Sequence, residues 1–110
     1  MTVNDIMKSL YLKTVNLADG QREVTGGYVG DLLSWVMGRA VSGNAWVTIM
    51  TNVNVLAVAS LTDAACVIIA EDSDYSEEFA NTAKEKEINV FHTSLSSFDI
   101  CSKLSALLNV

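Results

Sequence analysis

The sequence predicts an α/β domain, a mostly parallel sheet with helices on both faces. Three observations lead there. Trp46–Met50 and Ala64–Ala70 (AACVIIA) are nearly continuous apolar runs, the pattern of strands covered on both faces. Segments with the helical period lie before, between and after them, and strands alternating with helices imply right-handed βαβ units. No proline, linker or low-complexity stretch interrupts the 110 residues, so residues 1–110 read as a single domain.

Asn4–Leu10 reads as a first helix, with Thr2 or Asn4 as its cap and Ile6, Met7 and Leu10 on its apolar side. Leu12–Leu17 alternates like a strand. Ala18–Gly27 then reads as a polar loop ending in a turn at Thr25-Gly26-Gly27, where glycine allows positive φ or close approach to the main chain. A helix from Val29 to Ala40 follows, with Asp31 in its first turn and Leu32, Leu33, Val36, Met37 and Ala40 as its apolar stripe. Trp35 falls outside that stripe, next to Ser34 and Gly38, and reads either as a contact surface or as packing against a loop of the same chain. Ser42-Gly43-Asn44 stops the helix.

After the strand Trp46–Met50 comes a helix, Asn52–Leu61, capped by Thr51, Asn52 or Asn54; its Asn-Val-Asn-Val opening also fits a strand. It is apolar all round, so it requires cover on more than one side, and a second subunit is the expected second cover. Trp35, Val55, Leu56 and Ala59 are therefore the expected homodimer interface. Ala64–Ala70 is the next strand, Glu71–Ser76 an acidic loop and Glu77–Glu87 a charged helix with Phe79, Ala80 and Ala83 inward. Asn89–Phe91 is a short strand. Ser94 or Ser96 caps a last helix whose Phe98, Cys101, Leu104, Leu107 and Leu108 share a face.

Composition narrows the function classes. A net charge of −6 with only seven Lys plus Arg leaves no basic patch, which argues against nucleic-acid binding and against acidic lipid surfaces. No apolar run approaches the roughly 20 residues that span a bilayer. The start, MTVNDIMKSLYL, lacks the features of a signal peptide, so a cytoplasmic location is expected. Half the residues are apolar and the mean hydropathy is +0.30, which favours burying some surface between subunits. Cys66 and Cys101 lie inside apolar patterns as small core residues, and with His92 as the one histidine no zinc-type set assembles. No metal or cofactor is expected.

Parallel sheets bind ligands outside the carboxyl ends of their strands. That rule gathers Thr25-Gly26-Gly27, Thr51-Asn52, Glu71-Asp72 and His92-Thr93-Ser94 into a rim of hydroxyls, amides and free N–H groups. Thr25, Gly26, Gly27, Thr51, Asn52 and Thr93 are thus the expected ligand-binding residues, for a small anionic or nucleotide-like molecule at a helix N-terminus. Ordinary helix capping accounts for the same residues. Catalytic patterns are thin: there is no GxxxxGK[ST] loop, no GxGxxG, and any Ser–His–Asp arrangement has only His92 as base. The EDSDYSEE run lacks an EF-hand pattern and opens a helix, where the dipole favours negative charge.

The segment EVTGGYVGDLL (Glu23–Leu33), with Thr51–Ala59 (TNVNVLAVA) and AACVIIA, resembles the DRTGG domain over about Asp5 to Leu107. The chain departs at the name motif, where Glu23-Val24 stand in place of the family's Asp-Arg. The resemblance implies a fold similar to the N-terminal domain of HPr kinase/phosphorylase, without the P-loop domain in which that family's kinase activity resides. It also implies a dimerising or regulatory module of the kind that accompanies CBS pairs in regulatory pyrophosphatases and occurs in phosphotransacetylase-type proteins. Short stand-alone versions imply an accessory role beside iron-only hydrogenase or related redox subunits. The expectation is a non-catalytic regulatory or accessory module, dimeric, sensing a small ligand. The alternatives are a docking subunit without ligand and a phosphocarrier using His92 or a cysteine.

Overall fold

The computed structural model describes all residues from Met1 to Val110. In chain order the elements are α1 (Val3–Ser9), β1 (Lys13–Asn16), β2 (Gly26–Val29), α2 (Leu33–Arg39), β3 (Asn44–Thr48), α3 (Asn54–Leu61), β4 (Cys66–Ile69), α4 (Glu77–Glu85), β5 (Val90–His92) and α5 (Ser97–Leu108). The five strands form one mixed sheet in the order β1-β5-β4-β3-β2, with β1 antiparallel to β5 and the other four strands parallel. Because β2 to β5 follow one another across the sheet, the right-handed rule puts α2, α3 and α4 on one face. Their core side chains meet Trp46, Val67, Ile69 and Val90 there. Helices α1 and α5 cover the other face over Ala45, Val47, Cys66, Ile68 and Phe91. The sheet thus separates two apolar layers, as the runs in β3 and β4 required.

Local chemistry explains most boundaries. Thr2 and Asp5 form a capping box on α1, Ser76 caps α4 through the Phe79 N–H at 3.1 Å, and Ser96 caps α5 through the Asp99 N–H at 3.0 Å. Gly43 has φ +85°, and a Cβ there would stand 2.5 Å from Thr25 Oγ1. Gly43→Ala is expected to cost about 2 kcal/mol in chemical denaturation, since it adds both backbone strain and a clash.

Four expectations are corrected. Thr25-Gly26-Gly27 does not make a turn opening a helix. Gly26 and Gly27 begin edge strand β2, none of Gly26, Gly27 and Gly30 has positive φ, and α2 starts only at Leu33. The space beside both glycines is tight: a Cβ would stand 3.3 Å from Asn44 Nδ2 at Gly26 and 3.3 Å from Leu104 Cδ2 at Gly27. Second, α2 buries Val36 and half-buries Leu33 and Ala40, whereas Leu32 and Met37 are exposed, so its stripe is narrower than the periodicity implied. Third, Phe98 lies on the solvent side of α5, and Ile100 takes the core position beside Leu104.

The last correction concerns the interface. Val55, Leu56 and Ala59 are buried within the single chain, in one cluster with Val36 of α2 and Phe79 of α4. As the middle one of three helices on its face, α3 takes its second cover from its neighbours, and these three side chains are not available to a partner. Trp35, in contrast, is 53% exposed, with the Arg39 guanidinium 3.8 Å from its ring centre.

Candidate functional site

The carboxyl ends of β3, β4 and β5 bring Thr51, Asn52 and Thr93 to one rim. Thr51 Oγ1 donates to the Asp74 carbonyl at 2.7 Å, Asn52 Oδ1 accepts from the Asn54 N–H at 3.0 Å, and Thr93 Oγ1 accepts from the Leu95 N–H at 3.2 Å. Asp72 N–H donates to the Thr93 carbonyl, and Glu71 N–H to that of Leu95, joining the two loops. Thr25 and Gly26 lie at the opposite, amino end of the sheet, where Thr25 N–H donates to the Gly43 carbonyl at 3.0 Å; Gly27 lies within β2. The expected six-residue site is therefore divided between the two ends.

Gly30-Asp31 occupies the place on the rim expected of the glycine motif. The Asp31 carboxylate accepts from Thr48 Oγ1 at 2.8 Å and from the Ile49 N–H at 3.0 Å, pinning the end of β2 to β3. Beside it, Glu71 (φ 62°) and Asp72 (φ 54°) form a left-handed pair, a conformation with a real cost for non-glycine residues. Glu71 Oε2 accepts from the Ser97 N–H at 2.7 Å at the start of α5, where the helix dipole favours a carboxylate. No sequence signal marks that pair, because Glu-Asp is not a left-handed signature.

The rim is acidic. Asp31, Glu71, Asp72 and Asp74 lie on it, and the nearby Lys13 ammonium sits 5.7 Å from the Tyr75 ring centre. His92 Nε2 is 3.1 Å from the Ser73 carbonyl oxygen and 3.5 Å from Asp72 Oδ1, with the Tyr75 ring against it. No three His, Cys, Asp or Glu side chains are gathered as a metal ion requires. Burial pushes the Cys66 thiol up to about 12 and that of Cys101 upward, away from the thiolate form that reactive cysteines use. The parallel strands run β5-β4-β3-β2 without a reversal of order, so the fold lacks the switch-point crevice of doubly wound sheets.

Three clefts mark the surface. An apolar cavity of about 240 Å³ lies between β2 and α5. An open groove of about 680 Å³ runs from Ser9–Tyr11 past Thr93, Ser94 and Leu95 to Lys103 and Leu107 of α5, which makes Thr93 an expected ligand residue that borders a cleft. A polar cleft of about 300 Å³ opens at the amino end of the sheet beside Arg22 and Asp63. There Arg22 Nη1 and Nη2 grip Asp63 at 3.0 and 2.9 Å, and Ser42 Oγ donates to the same carboxylate at 2.5 Å. This fork consumes the cation nearest the Thr25-Gly26-Gly27 segment.

The bonds from Arg22, then from Ser42, hold the Asp63 carboxyl down to about 2. A depressed folded-state value means that the contribution to stability is complete above the unfolded carboxylate value of about 4 and disappears as pH falls through about 2. Asp63→Asn, which also tolerates the left-handed φ of 55°, is expected to flatten the stability profile between those limits. Denaturation midpoints at a series of acid pH values measure this; an unchanged slope contradicts it.

Neither a protein-family model nor any curated protein matches the sequence. Among solved structures, the fold is similar to the regulatory region, CBS and DRTGG domains, of a Clostridium perfringens pyrophosphatase complexed with its activator, diadenosine tetraphosphate. The match has a TM-score of 0.69 at 17% identity and covers 94% of this chain. The chain spans less than half of that structure, 45% of its length. At that identity the likeness defines a class by fold alone, a DRTGG-like α/β domain.

Proposed function

We propose that this chain is a non-catalytic regulatory or accessory module that works through protein contacts, as a homodimer and as a docking subunit. The observation that carries the reading is a contrast between two surfaces. On the rim, Asp31, Thr51, Asn52 and Thr93 each form a side-chain bond inside the chain, whereas Val29, Leu32, Trp35, Met37 and Val41, all large and apolar, are more than half exposed within one short stretch. Trp35 is the natural anchor, since a half-exposed tryptophan beside an arginine has the composition of an interface hot spot. The family resemblance supports a redox or hydrogenase subunit as the docked partner. A serine kinase label does not suit the chain, which contains no P-loop.

Trp35→Ala is expected to weaken docking onto such a subunit by about tenfold or more, while moving the unfolding midpoint little because the side chain lies outside the core. Equal affinity of both forms, measured by interferometry against the purified subunit, counts against the reading.

A second reading, a sensor of a small anionic or nucleotide-like ligand, is favoured by the groove beside Thr93, Ser94 and Lys103. The regulatory region of similar fold was solved with a dinucleotide activator, which makes diadenosine tetraphosphate the first compound to titrate. Saturable heat that Lys103→Glu abolishes supports the sensor; absence of heat favours the contact module alone.

A further inference from the structure

The two edges of the sheet are built differently. Edge strands are ordinarily blunted by charge, proline or a bulge, because their unpaired N–H and C=O groups invite another strand. β1 carries Lys13 and a register irregularity between Thr14 and Asn16. β2 has neither: Thr25 to Gly30 contains no charge and no proline, and its pairing with β3 is regular. The Gly30 N–H donates inward to the Val47 carbonyl at 3.2 Å. By the strand period of two, Tyr28 also faces β3, and Gly27 and Val29 turn their amides and carbonyls outward.

The same two residues differ in what they present on the α5 face. Val29 projects, 52% exposed. Gly27 has no side chain, Leu104 Cδ2 lies 3.3 Å from where its Cβ would stand, and the residue borders the apolar cavity of about 240 Å³ that Val29 lines together with Val47, Cys101, Leu104 and Leu108. The strand thus holds a knob and a seat two residues apart.

We infer that β2 pairs antiparallel with β2 of a second copy of this chain, about a two-fold axis at Tyr28. The inference rests on the reading of the chain as a contact module and names one of its partners. In this register Gly27 stands opposite Val29 of the other copy, and each pair exchanges both main-chain hydrogen bonds. Each Val29 then enters the cavity beside Leu104 of its partner, reciprocally, as an isologous interface demands. Moving the register by two residues sets Val29 against Val29, or Gly27 against Gly27, and both seats are lost. A second copy is the occupant because knob and seat lie on one strand at the spacing that two-fold symmetry requires. Charge agrees: two chains of net charge −6 meet here along an uncharged strand, with Asp31 falling opposite Thr25 and not opposite another carboxylate.

The test combines sedimentation velocity over about a hundredfold range of concentration with amide hydrogen exchange, on the full chain and on Val29→Lys. The pairing predicts a dimer in which the Gly27 and Val29 amides become protected only at high concentration. It also predicts that Val29→Lys, which sets a charge in each apolar seat, weakens that dimer about a hundredfold with the circular dichroism spectrum unchanged. If the variant fails to fold, the concentration-dependent protection of the unaltered chain decides. A monomer at every concentration, or a dimer whose Gly27 and Val29 amides exchange freely, overturns the pairing. A dimer indifferent to Val29→Lys but lost in Trp35→Ala overturns it too, yet leaves the contact reading in place. A monomer that also fails to dock on a redox subunit removes both.

Discussion

Trp46→Ala is expected to destabilise the domain by about 4 kcal/mol, the range measured when a buried large aromatic is truncated and its cavity only partly collapses. Trp46 is fully buried at the middle of β3, on the face covered by α2, α3 and α4. Its indole Nε1 donates to the Gly30 carbonyl at 2.9 Å, which ties the exit of β2 to β3 next to the Asp31 clamp. Small domains have about 5–15 kcal/mol in all, so the variant retains a small margin at best. Trp46→Phe keeps most of the volume and removes the N–H, and about 1–2 kcal/mol is the expected cost. Urea titration of the three forms checks both values; a Trp46→Ala loss below about 1 kcal/mol is incompatible with the packing described.

The second large effect lies at Asn89, a buried residue just before β5. Its Oδ1 accepts from the Ala18 and Asp19 N–H groups at 2.8 and 2.9 Å, and its Nδ2 donates to the Asp19 and Ala65 carbonyls at 2.9 and 3.0 Å. One amide thus fastens the loop after β1 to the start of β4. Asn89→Ala is expected to cost about 3 kcal/mol, since four bonds are lost and the Ala65 carbonyl remains buried. Asn89→Asp keeps the acceptor and loses both donations, so it should be no better than alanine. The same titrations decide, and faster exchange of the Ala18 and Asp19 amides localises the effect.

The layout was legible where burial acts through periodicity. AACVIIA and the run around Trp46 became the central strands β4 and β3, and of the two serines the pattern offered as the cap of α5, Ser94 and Ser96, it is Ser96 that caps it. Strand β2 was not legible, because Gly26-Gly27 carries turn propensity and the close packing of Asn44 and Leu104 against it comes from residues distant in sequence. Turn propensity there suggests a helix from Val29, whereas α2 begins at Leu33, and it suggests the glycine motif at the carboxyl end of the sheet, whereas Gly26 lies at the amino end. The α3 interface failed for a related reason: hydrophobicity all round specifies cover, but strand order decides whether the cover comes from neighbours or from a partner. Of the expected site, Thr51, Asn52 and Thr93 reach a common rim. Asn89 and the Arg22–Asp63 fork had no local signature, since both depend on residues far apart in sequence.

Native mass spectrometry of the protein purified from the organism that makes it tests the central claim most directly. A contact module predicts an assembly of two or more chains, alone or with a larger redox protein, and no retained small mass. A monomer that carries a small molecule at full occupancy contradicts that account and identifies the ligand by its mass.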